Sequence, residues 1–149
     1  MPRIGKFVKI LMDDSGGTPR DITTDVMTID GLPLTYDELE SSGYTQDHNY
    51  MAGQADSTIT LGMKFTTTAS TGTHTVFSGI DGLNTGFTLT VQLGNNTTPT
   101  TGDPEFEGEM VCTNYTILPP LSGLQTSTAV LKPSGGATTP AVPAWGTVS

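Results

Sequence analysis

The stretch Asp56-Ser57-Thr58-Ile59-Thr60-Leu61-Gly62-Met63-Lys64-Phe65-Thr66 decides the fold. Its apolar residues, Ile59, Leu61, Met63 and Phe65, alternate with polar residues or Gly. A period of two predicts a β-strand with one buried and one solvent-facing side. Burying four such side chains stabilises a fold by roughly 6–12 kcal/mol, at about 1.5–3 kcal/mol each. The chain is therefore predicted to contain a sheet that is packed on one face.

The rest of the chain repeats this pattern. Residues 87–94 alternate in the same way, and further strands are predicted at 5–12, 20–30, 104–118 and 123–132, with one short helix at 72–80 that a Ser or Thr caps. Residues 40–53 show no sustained period and predict a long inter-strand loop. We predict a mainly β fold, a small antiparallel β-sandwich or barrel with one short flanking helix. Residues 1–133 form this domain, and residues 134–149 form a Pro- and Gly-rich C-terminal tail.

Charge is distributed unevenly along the chain. The net charge is −9 with a pI near 4.3, which argues against a nucleic-acid-binding surface because phosphate contacts need Lys and Arg. Arg3, Lys6 and Lys9 make the N-terminus basic, whereas residues 13–56 are strongly acidic. Either this is a solvated acidic surface with a basic end, or the two ends of neighbouring copies attract each other head to tail.

The sequence carries little catalytic chemistry. Cys112 is the single Cys, so an intrachain disulfide is impossible, and we expect a buried, inert thiol. His48 and His74 lack partners at metal-ligand spacing. The apolar run at residues 7–12 is too short for a membrane span or a signal peptide, which predicts folding in a cytoplasm. We expect a binding or building protein with no catalytic residue, no metal, no cofactor and no membrane partner.

The order of elements resembles that of a known family. The segments PRDITTDV, GLP, MAGQADSTITLGMKF, THTVFSGI, TGFTLTVQL and PEFEGEMVCTNYTILPPLSGLQTSTAVLKPSG follow one another along the chain. Over nearly its whole length the sequence resembles a tail tube (major tail) protein of long-tailed bacteriophages. The resemblance rests on pattern and element order rather than on a single motif.

The resemblance implies a structural protein of the virion tail, assembled in the host cytoplasm. Six copies would form a ring whose sheets join into one β-barrel, and rings would stack head to tail around a channel. DNA would pass through the lumen without specific binding. The implied partners are further copies of the chain, the tape measure, the terminator, and the baseplate or tip.

Two groups of residues are candidates for this function. Candidates for the lumen are an acidic row with neutral neighbours: Glu105, Glu107, Glu109, Thr58, Thr60, Thr88 and Thr90. An acidic lining would repel DNA over a short, screened range, although the acidic row could equally lie on the outside. Candidates for contacts between subunits or rings come from the basic N-terminus and the 40–53 loop: Arg3, Lys6, Lys9, Tyr44, Asp47, Tyr50 and Met51.

Other interpretations remain open from the sequence. A capsid decoration or head–tail joining protein also uses small β-domains in symmetric assemblies. A carbohydrate-binding β-sandwich is less favoured, because it would need a row of exposed aromatic side chains. The C-terminal tail crosses to a neighbouring ring or stays disordered, and its Trp145 docks on another surface or packs on its own domain.

Overall fold

The computed structural model describes residues 5–32, 35–40, 50–134 and 143–149, without the side chains of residues 35–37 and 53–56. In these ranges the chain is mostly β-structure with a single α-helix and a 3-10 turn, Gly5–Phe7. The strands are β1 (Val8–Asp13), β2 (Pro19–Asp21), β3 (Val26–Ile29), β4 (Thr35–Glu40), β5 (Tyr50–Asp56), β6 (Ile59–Lys64), β7 (Phe87–Leu93), β8 (Pro104–Leu118), β9 (Thr126–Pro133) and β10 (Ala144–Thr147). The helix is α1 (Thr73–Ile80).

Strand β8 organises the sheet. The described strands form an antiparallel sheet in the order β2-β1-β7-β8-β9-β6-β3, and β10 also pairs with β8. Residues 104–110 of β8 contribute to pairing with β7 and β10, and residues 110–118 pair with β9. The register shifts between Cys112 and Asn114, and such a bulge bends a strand. One long strand therefore serves two half-sheets.

The two half-sheets pack on a shared core. We call the first, made of β2, β1, β7, residues 104–110 of β8 and β10, the acidic half-sheet. We call the second, made of residues 110–118 of β8 and β9, β6 and β3, the threonine half-sheet. Met12, Leu89 and Phe106 from the first and Leu61 and Leu131 from the second are all fully buried in one cluster. Because the inner faces meet in this core, the outer faces point in opposite directions.

Helix α1 covers part of this core. Its residues Val76, Phe77 and Ile80 are buried, and the Phe77 ring stacks on that of Tyr115 in β8 with ring centroids 6.0 Å apart. The start of the helix is held by two threonines. The Thr73 backbone N–H donates to Thr66 Oγ1 over 2.9 Å, and the Thr73 hydroxyl donates to the Lys64 carbonyl over 2.5 Å. These bonds join the helix to the end of β6.

The structure confirms the predicted fold class and corrects several boundaries. The strand predicted at 104–118 is β8, and the helix lies within the predicted range. The N-cap residue is Gly72 rather than the predicted Ser or Thr, and Gly72 has no side chain to cap the helix. The Thr66 hydroxyl instead accepts a hydrogen bond from the Thr73 N–H. The strand predicted at 20–30 is two strands, because a turn at residues 22–25 carries the chain from one half-sheet to the other.

The ends of the predicted 40–53 loop are also corrected. Glu40 ends β4, and residues 50–53 lie in β5, which pairs with β4 as a separate two-stranded sheet. Residues 41–49 lie outside the described residues. The sequence pattern missed β10, which joins residues 144–147 to the start of β8. Trp145 in β10 contacts its own domain, edge-on to Phe106 with ring centroids 5.4 Å apart.

Candidate lumen and assembly surfaces

The outer face of the acidic half-sheet holds the acidic row. Strand register places Glu105 beside Gln92, Glu107 beside Thr90 and Glu109 beside Thr88. Directly paired residues of antiparallel strands share a face, so the three polar neighbours and the acidic row form one surface. Gln92 Nε2 donates to Glu105 Oε2 over 2.7 Å, and the Thr88 hydroxyl donates to Glu109 Oε1. The structure thus brings together five of the seven lumen candidates.

This surface concentrates negative charge. Burial raises the pKa of Glu107 above its ordinary value, and the neighbouring Glu105, Glu109 and Asp13 raise it further. The pKa of Asp13 is also raised, mainly by burial and in part by the charge of Glu109, although a hydrogen bond from the Thr88 backbone opposes this. Glu109 is only 6% exposed. Full ionisation of the cluster therefore costs free energy.

The remaining two lumen candidates lie elsewhere. Thr60 belongs to the outer face of the threonine half-sheet, where it pairs with Val130, which in turn pairs with Asn114. Thr58 lies two residues before Thr60, so period-two alternation places it on the same face. The next row on this face is Thr28, Gly62, Thr128 and Thr116. Because the two outer faces point in opposite directions, Thr58 and Thr60 do not share a face with the other five candidates. The alternation of residues within one strand does not show which way the outer face of the other half-sheet points.

Within the described part of the chain, the threonine half-sheet ends in two unpaired edges. Among the described strands, β3 pairs only with β6. On the side of β8 away from β9, the described residues supply one isolated bridge, between Asp81 and Cys112, so residues 114–118 find no backbone partner there. Such edges are templates for pairing with another chain. By contrast, the β2 edge of the acidic half-sheet is three residues long and includes Pro19, which lacks a donor.

The predicted contact residues fall in two places. Lys6 lies over the Phe7 ring, 5.1 Å from its centroid, and Lys6 and Lys9 both line a depression of about 550 Å³. On the β4–β5 hairpin, Tyr50 and Met51 are about 60% exposed. Met51 pairs directly with Leu39, which is 54% exposed. Arg3, Tyr44 and Asp47 lie outside the described residues.

A second apolar surface was missed by the sequence reasoning. The tip between β8 and β9 exposes Leu118, Leu121 and Leu124, and Ile117 beside them is 38% exposed. Residues 110–131 contain no Asp, Glu, Lys or Arg, although the chain as a whole is 14% charged. This run without charge was the signal available in the sequence. Clustered exposed apolar side chains make this tip a candidate interaction surface.

The described residues contain neither a cluster that could hold a metal ion nor a helix that could cross a membrane. Within them, no group of three or more His, Cys, Asp and Glu side chains is placed to hold a metal ion. His74 contacts Tyr115 instead, with 3.1 Å between Nδ1 and the hydroxyl oxygen. Cys112 is buried as predicted, and burial raises the pKa of its thiol to about 12. No helix in the described part of the chain has the length and apolar character needed to cross a membrane.

Solved structures with this fold come from tail and injection tubes. No protein-family model and no curated protein matches the sequence. A chain of the sheath–tube complex of the extracellular contractile injection system PVC matches with a TM-score of 0.64 and 17% identity, over 99% of this chain and 93% of that one. The SPP1 tail tube matches with a TM-score of 0.65 and 11% identity, over 88% and 75%.

A third solved structure matches over the full length of its own chain. A chain from the tail of a gene transfer agent particle, refined with C6 symmetry, matches with a TM-score of 0.60 and 14% identity, over 99% of this chain and 100% of that one. The fold is therefore that of subunits of tail tubes and related injection tubes. The resemblance found in the sequence is confirmed at this level.

Proposed function

We propose that the chain is a structural tail tube protein, which polymerises into stacked hexameric rings that conduct DNA. The observation that carries this proposal is the pair of unpaired edges of the threonine half-sheet. The fold shared with the SPP1 tail tube and with a gene transfer agent tail refined with C6 symmetry supports it. The chain acts by assembly rather than by catalysis.

The direction of the strands makes the two edges complementary. The threonine half-sheet has four strands in the order β8-β9-β6-β3, all antiparallel. Its two edge strands therefore run in opposite directions. When two copies stand side by side in the same orientation, residues 114–118 of one meet β3 of the next as an antiparallel pair. Repetition closes a ring, and barrels of about 16–18 strands already enclose an aqueous channel.

This closure turns the Thr face towards the channel. The inner face of the threonine half-sheet is covered by the core, so only its outer face can line a lumen. Thr58 and Thr60 then remain lumen candidates, joined by Thr28, Thr116 and Thr128. Uncharged hydroxyl groups hold no phosphate by charge, so they let DNA slide past. The same alternation also places the exposed Lys64 and Lys132 on this face, towards the ends of β6 and β9. Glu105, Glu107 and Glu109, with Thr88 and Thr90, lie on the outer wall. An acidic lumen would instead require closure through the short β2 edge.

Contacts between rings involve the exposed hairpin and the basic N-terminus. The β4–β5 hairpin carries exposed Glu38 and Glu40 beside Leu39 and Met51, and the opposite charge lies at Lys6 and Lys9. Head-to-tail stacking of copies brings the acidic hairpin of one copy against the basic N-terminus of the next. Tyr50 belongs to the same hairpin, and we extend this role to the neighbouring Tyr44 and Asp47 and to Arg3.

The same open surfaces occur at the ends of a finite tube. Chains with this fold are found in structures of a sheath/tube terminator, a tube-terminating cap and a baseplate. We infer corresponding partners here, namely a terminator, a tape measure protein and a baseplate or tip. The protein then resides in the virion tail and is assembled in the host cytoplasm.

Electron microscopy of the concentrated, purified protein tests this function. We expect tubes or stacked rings with sixfold symmetry, whereas particles that remain single at high concentration would overturn the proposal. Shells decorated only in the presence of capsids would favour a capsid decoration protein, and binding to a glycan array would favour a carbohydrate-binding module.

Cysteine labelling of assembled tubes tests which face lines the channel. Thr60→Cys and Glu107→Cys variants are treated with a maleimide attached to a protein too large to enter the channel. We expect Glu107→Cys to react and Thr60→Cys to be protected until the tubes are dissociated. Wild-type protein is the blank, because Cys112 is buried. The reverse pattern would place the acidic face in the lumen and leave the tube itself intact.

A further inference from the structure

An apolar groove opens beside the β3 edge. It has a volume of about 350 Å³ and lies between the first half of β1 and β3. Its lining includes Val8, Ile10, Val26, Met27 and Ile29, and among the described lining residues only Lys6 is charged. Met27 is 47% exposed, and Val8, Val26 and Ile29 are only partly buried although they pack against the core. The core is therefore incompletely covered at this edge.

The other edge of the same half-sheet carries a matching side chain. Ile117 lies on the inner face of β8, in the row Val26, Met63, Ser127 and Ile117 that crosses all four strands. Met63 and Ser127, in the middle of this row, are buried, whereas Ile117 is 38% exposed. The two ends of one core row are thus both left partly exposed, at opposite edges.

We propose that Ile117 of each copy fills the groove beside β3 of the neighbouring copy in the ring. This inference rests on the proposed function, because it uses the edge-to-edge pairing of identical chains. When copies pair without axial offset, residues at the same level along the strands meet, and Ile117 of one copy faces Val26 of the next. The next inner row then places Tyr115 of one copy beside Ile29 of the other.

The occupant is a second copy of this chain for two reasons. The groove adjoins β3, and residues 114–118 provide the complementary edge with the required strand direction. The segment that would approach the groove is also uncharged throughout residues 110–131, so it brings no ionised group to be desolvated against the apolar lining. Ring closure would therefore complete the core of each subunit with a side chain from its neighbour.

Disulfide cross-linking tests this contact. Facing residues of antiparallel strands have Cβ atoms close enough for a disulfide. A variant carrying both Ile117→Cys and Val26→Cys is assembled, oxidised and analysed on a denaturing gel without reductant. We expect a ladder that ends at six linked chains and collapses to one on reduction. The Ile117→Cys variant alone is the matched control and should give no ladder.

A second variant measures the contribution of the contact to assembly. Ile117→Asp should raise the critical concentration for assembly at least tenfold, whereas Leu83→Asp, which changes another exposed apolar residue outside β3 and residues 114–118, should leave it near the wild-type value. Thermal melting of the unassembled chains shows whether each variant folds. If Ile117→Asp does not fold, the cross-linking experiment alone tests the Ile117 contact.

The outcomes separate this inference from the function on which it rests. Wild-type tubes together with no ladder, or tubes of Ile117→Asp at the wild-type critical concentration, would overturn the Ile117 contact and leave the tube proposal standing. Wild-type protein that forms neither rings nor tubes would overturn both.

Discussion

Replacement of Glu107 by Gln isolates the energetic cost of the acidic face. Glu107 is half-buried on the outer face of the acidic half-sheet, with Glu105, Glu109 and Asp13 as charged neighbours. Gln keeps the size and hydrogen-bonding capacity of the side chain but removes its charge. We therefore expect Glu107→Gln to be more stable than the wild type at pH 7.

The sign of the pH dependence follows from the direction of the pKa shift. The folded-state pKa of Glu107 is raised above its ordinary value of 4.5, so the folded chain holds this proton more tightly than the unfolded chain. The associated stability is fully present below the unfolded pKa and is lost as the pH rises through the folded pKa. Glu107→Gln removes this loss. The variant should therefore become more stable than the wild type as the pH rises above about 4.5, and it should remain more stable at pH 7.

The magnitude is modest because the side chain retains contact with solvent. Like charges that face each other on a sheet cost about 0.2–1 kcal/mol, and solvent screening keeps the effect within that range. For a chain of this size, 1 kcal/mol corresponds to a shift of roughly 2–4 °C in Tm. We therefore expect the Tm of Glu107→Gln to rise by about 1–4 °C at pH 7.

Thermal melting of the unassembled chain at pH 4 and pH 7 measures the effect. Asp30→Asn is the matched control, because it removes the same charge from an exposed residue at the end of β3, outside the acidic cluster. Its Tm should change by less than that of Glu107→Gln. Equal stabilisation by the two variants would show that only net charge matters, and a lower Tm for Glu107→Gln at pH 7 would refute the reasoning.

Three further variants test the packing and the assembly surfaces. Phe77→Ala should lower the free energy of unfolding by about 3–5 kcal/mol, because the ring is fully buried, whereas Ser78→Ala on the exposed side of the same helix should change it little in urea titrations. Gly72→Ala should destabilise the chain in the same assay, because a Cβ there would lie within 3 Å of backbone atoms of the preceding loop. A Leu39→Lys/Met51→Lys variant should keep its Tm but yield single rings instead of stacked tubes by electron microscopy, and normal tubes would exclude the hairpin from stacking contacts.

The elements of the fold were largely predictable because alternation is a local property. The bounds of β8 and the core side of β6 follow from period-two patterns, which depend on neighbouring residues only. The β2–β3 region was misjudged because a short turn at residues 22–25 moves the chain between half-sheets without breaking its apolar pattern. Strand β10 was missed because four residues are too few to show a period, and their pairing depends on the distant start of β8.

The arrangement of the site was less predictable, because it depends on how distant strands are oriented. Thr60 and Thr88 have the same local pattern, yet they face opposite directions across the core. Only the sheet order, with β8 shared by both half-sheets, distinguishes them. The sequence could therefore identify five neighbours of one surface but could not separate them from Thr58 and Thr60.

The separation of charge and open edges has a consequence for how copies can associate. Asp13, Glu105, Glu107 and Glu109 place like charges on one outer face, and like charges brought together disfavour contact between two copies through that face. The other half-sheet has open backbone at both edges and a central band without charge. Repulsion on one face and unsatisfied backbone on the edges of the other favour growth side by side. In the proposed tube, this distribution would favour closed rings over irregular stacking of the sandwiches.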